Sequence, residues 1–119
     1  MSIKKLKKSF SYALKGIGHV FRNEQNFRIQ VSVAVVMVAF ALWLRLPATS
    51  FMILISTITL VLILEIINTA IERCLDIVKP RLSDQVEMIK DIMAGAVLLA
   101  SLFAIIIGLC IFWPYRDTL

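Results

Sequence analysis

The sequence predicts an all-α membrane protein with an N-terminal surface helix and three transmembrane helices. Of the 119 residues, 60% are hydrophobic, and a water-soluble domain of this size could not bury that much apolar surface in one core. The apolar residues are also concentrated in three long runs, each close to the ~20 residues that a helix needs to cross ~30 Å of hydrocarbon. We therefore interpret the chain, residues 1–119, as a single membrane domain.

The first segment, residues 1–27, is predicted to be an amphipathic helix that lies on the membrane surface rather than crossing it. Its apolar side chains recur at three- and four-residue intervals, at Ile3, Leu6, Phe10, Leu14, Ile17 and Phe21. Cationic side chains occupy the other faces, at Lys4, Lys8, Lys15 and Arg22. Such a helix can bury its apolar stripe in the acyl boundary while its cations meet the lipid headgroups. It could serve as a simple polybasic anchor, as a cover for a site, or as both.

The three spans are predicted at about residues 29–46, 51–72 and 92–113. Arg45 and Pro47 indicate a tight turn between the first two spans, because proline disfavours helical backbone in the residue before it. Residues 79–90, which include Pro80 and Ser83, are predicted to form a polar connection between the second and third spans. The domain is thus expected to consist of one surface helix and three spans.

The distribution of Lys and Arg predicts the orientation of the spans. Seven of these cations precede the first span and four lie in or beside the second connection, whereas Arg45 and Arg116 lie on the opposite side. By the positive-inside rule the N-terminus and the second connection face the cytoplasm, and the C-terminus lies outside. Trp43, Trp113 and Tyr115 then all fall at the outer interface, where aromatic residues are enriched. The net charge of +5 therefore favours anionic headgroups or nucleotide phosphates as partners, and not nucleic acid.

Small residues in the third span indicate close helix packing. They recur every four positions, at Ala96, Ala100, Ala104 and Gly108. This spacing lets two helix backbones approach each other closely. Three thin helices offer little interior in which to bury carboxylates, so we expect the chain to form an oligomer.

Four polar residues form a stripe along the second span and its cytoplasmic end. They are Glu65, Asn68, Glu72 and Asp76. On an α-helix their side chains point within roughly 60° of the direction of Glu65, and Glu65 lies ~10 Å deeper than Glu72. A carboxylate at membrane depth costs on the order of several kcal/mol unless it is paired, hydrated or bound to a cation, so it indicates function. The stripe would let a membrane-embedded reactant meet a water-soluble one.

Further polar residues flank the cytoplasmic side of this stripe. Glu24 and Arg28 precede the first span, and Lys90 and Asp91 precede the third. Glu24 and Glu72 could share a Mg²⁺ ion, which takes one or two carboxylates and completes its shell with waters and phosphate oxygens. The sequence contains neither GxxxxGK[ST] nor GxGxxG. A nucleotide site would therefore be built from side chains and metal ions rather than from a glycine-rich loop.

Each of these polar residues also has an alternative interpretation. Glu72 and Asp76 could form interfacial ion pairs with Arg73, Lys79 or Arg81. Asp91 could simply favour a helix N-terminus. A small proton-coupled transporter would use Glu65 to exchange protons for a cationic substrate, but this function leaves the flanking carboxylates and lysine without a role. A passive interaction protein held together by the small residues is a third class.

Three motifs resemble those of a known family. "EIINTAIE", residues 65–72, fits the signature E-x-x-N-[ST]-A-I-E at every fixed position, and "NEQNFR" and "KDIMAGAV" resemble its two companion motifs in order and separation. On these motifs the chain is similar to the small three-span bacterial lipid kinases, the diacylglycerol kinases and undecaprenol kinases. It departs from the Gram-negative diacylglycerol kinases at Gln30 and Lys5, and its ending "IIIGLCIFWP" is more similar to the Gram-positive undecaprenol kinase branch.

The resemblance implies a homotrimer with composite sites between subunits, in a bacterial plasma membrane. It implies MgATP-dependent phosphorylation of a lipid alcohol, undecaprenol or diacylglycerol, in phospholipid or lipid-carrier metabolism. By the same match Glu65 is the catalytic base, and Glu24 and Glu72 are metal ligands. The chemistry of phosphoryl transfer leads us to expect direct transfer to the lipid hydroxyl, because Asp91, the nearest rival nucleophile, has no evident base beside it. The implied ATP-binding residues are Lys5, Tyr12, Glu24, Glu72, Asp76, Arg81, Lys90 and Asp91. The implied lipid-binding residues are Glu65, Asn68, Arg28, Gln30 and Ala94.

Overall fold

The computed structural model describes residues 2–78 and 83–118 and is all-helical in those ranges. The helices are α1 (Ile3–Asn23), α2 (Gln25–Trp43), α3 (Ala48–Val78) and α4 (Ser83–Phe112), and a short 3-10 helix follows at Trp113–Tyr115. Three stretches of these residues are long and apolar enough to cross a membrane: Gln25–Trp43, Ala48–Val78 and Ser83–Tyr115. The predicted all-α class and the three spans are confirmed.

The first helix, α1, exposes most of its apolar side chains. Ser2 caps its N-terminus by accepting a hydrogen bond from the backbone N–H of Lys5 at 3.2 Å. Ile3, Phe10 and Leu14 are 75%, 63% and 68% exposed, whereas Val20, near the C-terminal end, is buried. The helix therefore packs on the rest of the chain mainly through its last turns and leaves a long apolar surface uncovered.

A bend at Glu24 separates α1 from α2. The backbone of Glu24 is extended (φ −114°, ψ 111°), while its N–H still bonds the carbonyl of Val20 at 2.8 Å. Arg28 Nη1 donates to the carbonyl oxygens of Phe21 and Arg22 at 2.9 and 2.8 Å, which satisfies acceptors that the end of α1 leaves free. The predicted surface segment, residues 1–27, is thus divided: its helix ends at Asn23, and its last residues already belong to α2.

The predicted tight turn between the first two spans is confirmed, and it is a Schellman motif. The N–H of Leu46 bonds the carbonyl of Ala41, and the N–H of Arg45 bonds that of Leu42, both at 3.2 Å. Arg45 itself has a φ of 54°, the left-handed conformation that this motif requires at the residue after the helix. The third helix then begins directly after Pro47.

The last two helices extend beyond the residues predicted for their spans. α3 has 31 residues and α4 has 30, so each is about 45 Å long and exceeds the ~30 Å of a hydrocarbon core. Residues 83–90, predicted to be part of a polar connection, are helical, because α4 begins at Ser83. Asp84, in the first turn, interacts favourably with the helix dipole, and Val86 is buried. The polar residues on either side of Val86 therefore extend the helix beyond the apolar run.

The core of the chain is a stripe along one face of α3. Its members are Leu54, Thr57, Val61, Glu65, Thr69 and Leu75. Opposite this helix, α2 buries Phe27 and Ala41 and α4 buries Val86 and Ala100. Glu65 is only 2% exposed within one chain, which corrects the expectation that three helices lack the interior to bury a carboxylate.

The small residues of α4 are only partly used for packing within the chain. Ala100 is buried, and Ala96 and Ala104 are half-buried. At Gly108, in contrast, an added Cβ would meet no atom within 4 Å. The close approach predicted for the small residues is therefore absent at Gly108 in a single chain.

Candidate active site

The centre of the site is the buried carboxylate of Glu65. It is hydrogen-bonded by the side chains of Gln30, from α2, and of Asn68, one turn further along α3. Because a carboxylate can only accept, each amide presents its nitrogen to Glu65. The amide oxygens Gln30 Oε1 and Asn68 Oδ1 are buried, and neither has a hydrogen-bond partner among the described residues. Two unused acceptors therefore lie beside the buried carboxylate.

Asn68 also connects Glu65 to the next carboxylate of the stripe. Its Nδ2 lies 3.4 Å from Oε1 of Glu72, within hydrogen-bonding distance. Along the backbone of α3, the hydroxyl of Thr69 donates a hydrogen bond to the backbone carbonyl oxygen of Glu65 at 3.0 Å. The predicted stripe on α3 is thus a connected set of polar groups, in which one amide serves both glutamates.

Glu24 joins this set from the bend between α1 and α2. Its Oε1 lies 3.8 Å from Nη2 of Arg73, the residue after Glu72. Glu24 and Glu72 also both interact electrostatically with the carboxylate of Glu65. The structure therefore brings together the three glutamates that the sequence singled out, although Glu24 is 41 positions before Glu65 in the chain.

The predicted nucleotide residues Asp76 and Lys90 form an ion pair between α3 and α4. Lys90 Nζ donates to Asp76 Oδ1 at 3.0 Å, and the two side chains are 30% and 53% exposed, respectively. Asp76 thus pairs with Lys90, which was not among the partners considered for it, whereas Glu72 accepts a hydrogen bond from the amide of Asn68.

Other predicted site residues lie further from the glutamates or have structural partners. Tyr12 is 66% exposed on α1, about 18 Å along the helix from Glu24, with Lys15 Nζ 5.9 Å from the centre of its ring. Lys5, two turns before Tyr12, is also exposed, as are Asp91 and Ala94 on α4. Arg28, predicted to bind the lipid, donates to carbonyl oxygens at the end of α1. Arg81 lies outside the described residues.

The carboxylates fit a hard divalent cation that also binds phosphate. Within residues 2–78 and 83–118 there is no group of three or more His, Cys, Asp or Glu side chains arranged to hold a metal ion. Mg²⁺ does not require such a group, because it commonly binds one or two carboxylates and takes its remaining ligands from water and substrate phosphates. Glu24 and Glu72 are the two carboxylates that would hold it.

Sequence reasoning missed two roles at this site. Arg73 was considered only as a partner for its own helix, yet it pairs with Glu24 from another element. Gln30 was named only through the resemblance, and no periodicity in α2 indicated that it would face Glu65. For Arg73 the sequence did contain a signal. It directly follows Glu72, so its guanidinium lies within one helical turn of that glutamate and can reach the same site.

Comparisons with known proteins identify relatives of this chain. Residues 11–112 match the family described as prokaryotic diacylglycerol kinase. A diacylglycerol kinase of Synechocystis sp. is 39% identical over 107 residues, which cover 89% of this chain and 61% of the relative. A diacylglycerol kinase of Escherichia coli K12 is 32% identical over 108 residues, which cover 91% of this chain and 88% of the relative. An undecaprenol kinase of Bacillus subtilis is 34% identical over 90% of this chain and 87% of its own.

The relatives do not favour one branch over the other. The chain is more similar to the Synechocystis diacylglycerol kinase than to the Bacillus undecaprenol kinase, although it spans only about three fifths of the former. The predicted closeness to the undecaprenol kinase branch therefore stays a prediction. The extent of the match to the family description and to relatives of both kinds leads to one conclusion. This chain is a bacterial membrane protein that belongs to the prokaryotic diacylglycerol kinase family, a family of lipid kinases.

Proposed function

We propose that this chain uses ATP and Mg²⁺ to phosphorylate the hydroxyl of a membrane lipid alcohol at the cytoplasmic interface. The acceptor is diacylglycerol or undecaprenol, the substrates in the names of its relatives. The observation that carries the proposal is the burial of Glu65, a carboxylate on a helix long enough to span the membrane. Unlike an ordinary ion-pair residue, it is hydrogen-bonded by two amides, and it interacts electrostatically with the carboxylates of Glu24 and Glu72.

Glu65 acts as the general base in this proposal. A base must lie within hydrogen-bonding distance of the hydroxyl whose proton it accepts, and a lipid alcohol approaches from the membrane. Glu65 is about 10 Å deeper along α3 than Glu72, which suits that approach. Gln30 and Asn68 orient the carboxylate through the hydrogen bonds that their amide groups form with it.

Glu24 and Glu72 bind the divalent cation in this proposal. Asn68 keeps Glu72 in place, and Arg73 interacts with Glu24 at the bend. With Mg²⁺ bound at these carboxylates, negative charge on the phosphates is screened during phosphoryl transfer. Because Glu24 and Glu72 come from different elements, this arrangement also ties the bend to α3.

The nucleotide is bound by exposed residues around this centre. Lys90 pairs with Asp76, one helical turn after Glu72 on α3, and its ammonium is a suitable donor to phosphate oxygens. Asp91 lies next to Lys90 in the same helix. Lys5 and Tyr12 on α1, and Arg81, complete the proposed ATP-binding set through the resemblance alone. Ala94, one turn after Lys90, is assigned to the lipid alcohol on the same basis.

The proposal includes the assembly and the orientation implied above. The chain forms a homotrimer with composite sites, and α1 lies on the cytoplasmic surface with its apolar face in the acyl boundary. The exposed apolar side chains support both statements, since they need lipid or another subunit to cover them. Examples are Phe10, Leu14, Leu98, Leu99 and Ile106, which are between 58% and 71% exposed. The N-terminus is cytoplasmic and the C-terminus is outside, in accord with the distribution of Lys and Arg.

The test is Mg²⁺-dependent transfer of labelled γ-phosphate from ATP to a lipid alcohol in mixed micelles. Purified protein is given diacylglycerol and undecaprenol in separate reactions, and we expect labelled lipid phosphate from at least one of them. Absence of both products, together with uptake of a cation driven by a proton gradient in vesicles, would instead support the transporter that uses Glu65. Accumulation of labelled phosphoprotein would contradict direct transfer.

A further inference from the structure

The contact between Arg73 and Glu24 joins two parts of the proposed site that are far apart in the chain. The 3.8 Å between Arg73 Nη2 and Glu24 Oε1 is an ion-pair distance but too long for a hydrogen bond. Among the described residues this guanidinium forms no hydrogen bond, so the interaction with Glu24 is its only polar contact there. The Arg73 side chain is 53% exposed and that of Glu24 is 24% exposed. The pair is therefore loose and accessible to water.

Glu24 differs from the other carboxylates of the site in the kind of partner it has. Glu72 accepts a hydrogen bond from a neutral amide, and Glu65 is bound by two amides. Glu24 alone among these three glutamates has a cationic partner in the described structure. A side-chain cation and a bound metal ion are both attracted to the same carboxylate charge and repel each other, so they compete for that carboxylate.

We infer that Arg73 is a positioning residue that acts as the counter-cation of Glu24 and competes with the divalent cation for this carboxylate. The inference rests on the proposed function, in which Glu24 is a metal ligand. Arg73 holds Glu24 close to Glu72, offsetting the repulsion between them, and gives it up when the metal binds. A half-exposed ion pair is weak enough for such an exchange, because pairs of this kind contribute little to stability. Arg73 thereby lowers the affinity of the site for the metal.

The first experiment measures binding of Mn²⁺, as the probe ion, to the purified full-length chain in detergent micelles by electron paramagnetic resonance. Arg73→Gln removes the charge while keeping a polar, though shorter, side chain. We expect the dissociation constant for Mn²⁺ to fall about two- to fivefold, the range that corresponds to loss of a weak ion-pair competitor. Arg116→Ala is the matched control, because Arg116 packs over the Trp113 ring, 4.7 Å from its centre, and bonds the Trp113 carbonyl at the opposite end of α4. It should leave the constant unchanged.

A second measurement needs no substitution. Phenylglyoxal modifies accessible guanidinium groups, and peptide mass spectrometry gives the extent of modification at Arg73. Adding Mg²⁺ to the unmodified protein should increase labelling of Arg73 and leave Arg116 unaffected. Unchanged or reduced labelling, or an unchanged or weakened Mn²⁺ affinity in a folded Arg73→Gln protein, overturns the inference.

These outcomes are distinct from failure of the proposed function. If the wild-type chain neither binds Mn²⁺ nor phosphorylates a lipid alcohol, the proposed function and this inference fail together. If the wild-type chain does both and Arg73→Gln leaves the Mn²⁺ affinity as it was, only the inference fails. A purely structural role for Arg73 would lower the thermal stability of the variant without tightening metal binding.

Discussion

Asn68 lies between two glutamates, and its Nδ2 is 3.4 Å from Oε1 of Glu72 while the same side chain bonds the carboxylate of Glu65. Residues three and four positions away are neighbours on a helix surface, so one amide can serve both. In the proposed kinase this relationship connects the general base to a metal ligand. A change at Asn68 should therefore affect both functions at once.

Asn68→Ala should slow phosphoryl transfer and also weaken the binding of the metal ion. The substitution leaves Glu65 with one amide partner and Glu72 without the donor described here. Loss of precise positioning costs up to about 100-fold in rate, and we expect a fall of at least about tenfold in kcat with a higher Mg²⁺ requirement. The assay is lipid phosphorylation at varied Mg²⁺. Asn26→Ala, an exposed asparagine on α2, is the control, and a rise in KM for lipid alone would contradict this role.

Glu65→Gln should abolish most of the activity while preserving the fold. The new side chain has the same shape but cannot accept the proton of the alcohol, and general base catalysis contributes about 100- to 10,000-fold. Rates of γ-phosphate transfer, measured on both lipid alcohols, give the loss. Glu87→Gln, on an exposed residue of α4, should retain full activity. Comparable turnover by Glu65→Gln would remove Glu65 from the role of base.

Lys90→Met should raise KM for ATP strongly and have only a small effect on the free energy of unfolding. The pair with Asp76 is partly exposed, and such ion pairs contribute only about 0–1 kcal/mol to folding. Without the ammonium, the phosphates of ATP lose a positively charged hydrogen-bond donor. We expect KM for ATP to rise at least about tenfold, because hydrogen bonds between charged groups and phosphate are strong. Kinetics at varied ATP and unfolding in micelles provide the two readouts. Lys7→Met, on α1, is the control for loss of one positive charge, and an unchanged KM in Lys90→Met would exclude the proposed contact.

Arg45→Gly should stabilise the protein without changing its activity. Arg45 has a φ of 54°, and the left-handed conformation costs a residue with a Cβ about 1–2 kcal/mol that glycine avoids. Because glycine also makes the unfolded chain more flexible, we expect a net gain of about 0.5–1 kcal/mol in the free energy of unfolding. Arg45→Ala, which keeps the Cβ, should show no gain in the same unfolding experiment. Equal stability of the two variants would contradict the strain at this turn.

Several features of this protein follow from the sequence alone because they depend on neighbouring residues. Long apolar runs predict spans, since burial in hydrocarbon depends on side chains within one helix. The periodicity of the α-helix puts Glu65, Asn68 and Glu72 on one face, and the structure retains that order. The turn at Arg45 was also predictable, because proline restricts the backbone locally. The extent of α4 was not, since polar residues continue a helix as readily as they end one.

Contacts between helices were decided only by the tertiary structure. Gln30 against Glu65, Glu24 against Arg73 and Lys90 against Asp76 join residues 14 to 49 positions apart. Such contacts depend on how helices cross and rotate against each other, and on the bend at Glu24, which no local pattern specifies. The burial of Glu65 in one chain likewise arises from the packing of α3 against its neighbours. The sequence by itself determined which residues carry the chemistry, and helix packing determined which of them meet.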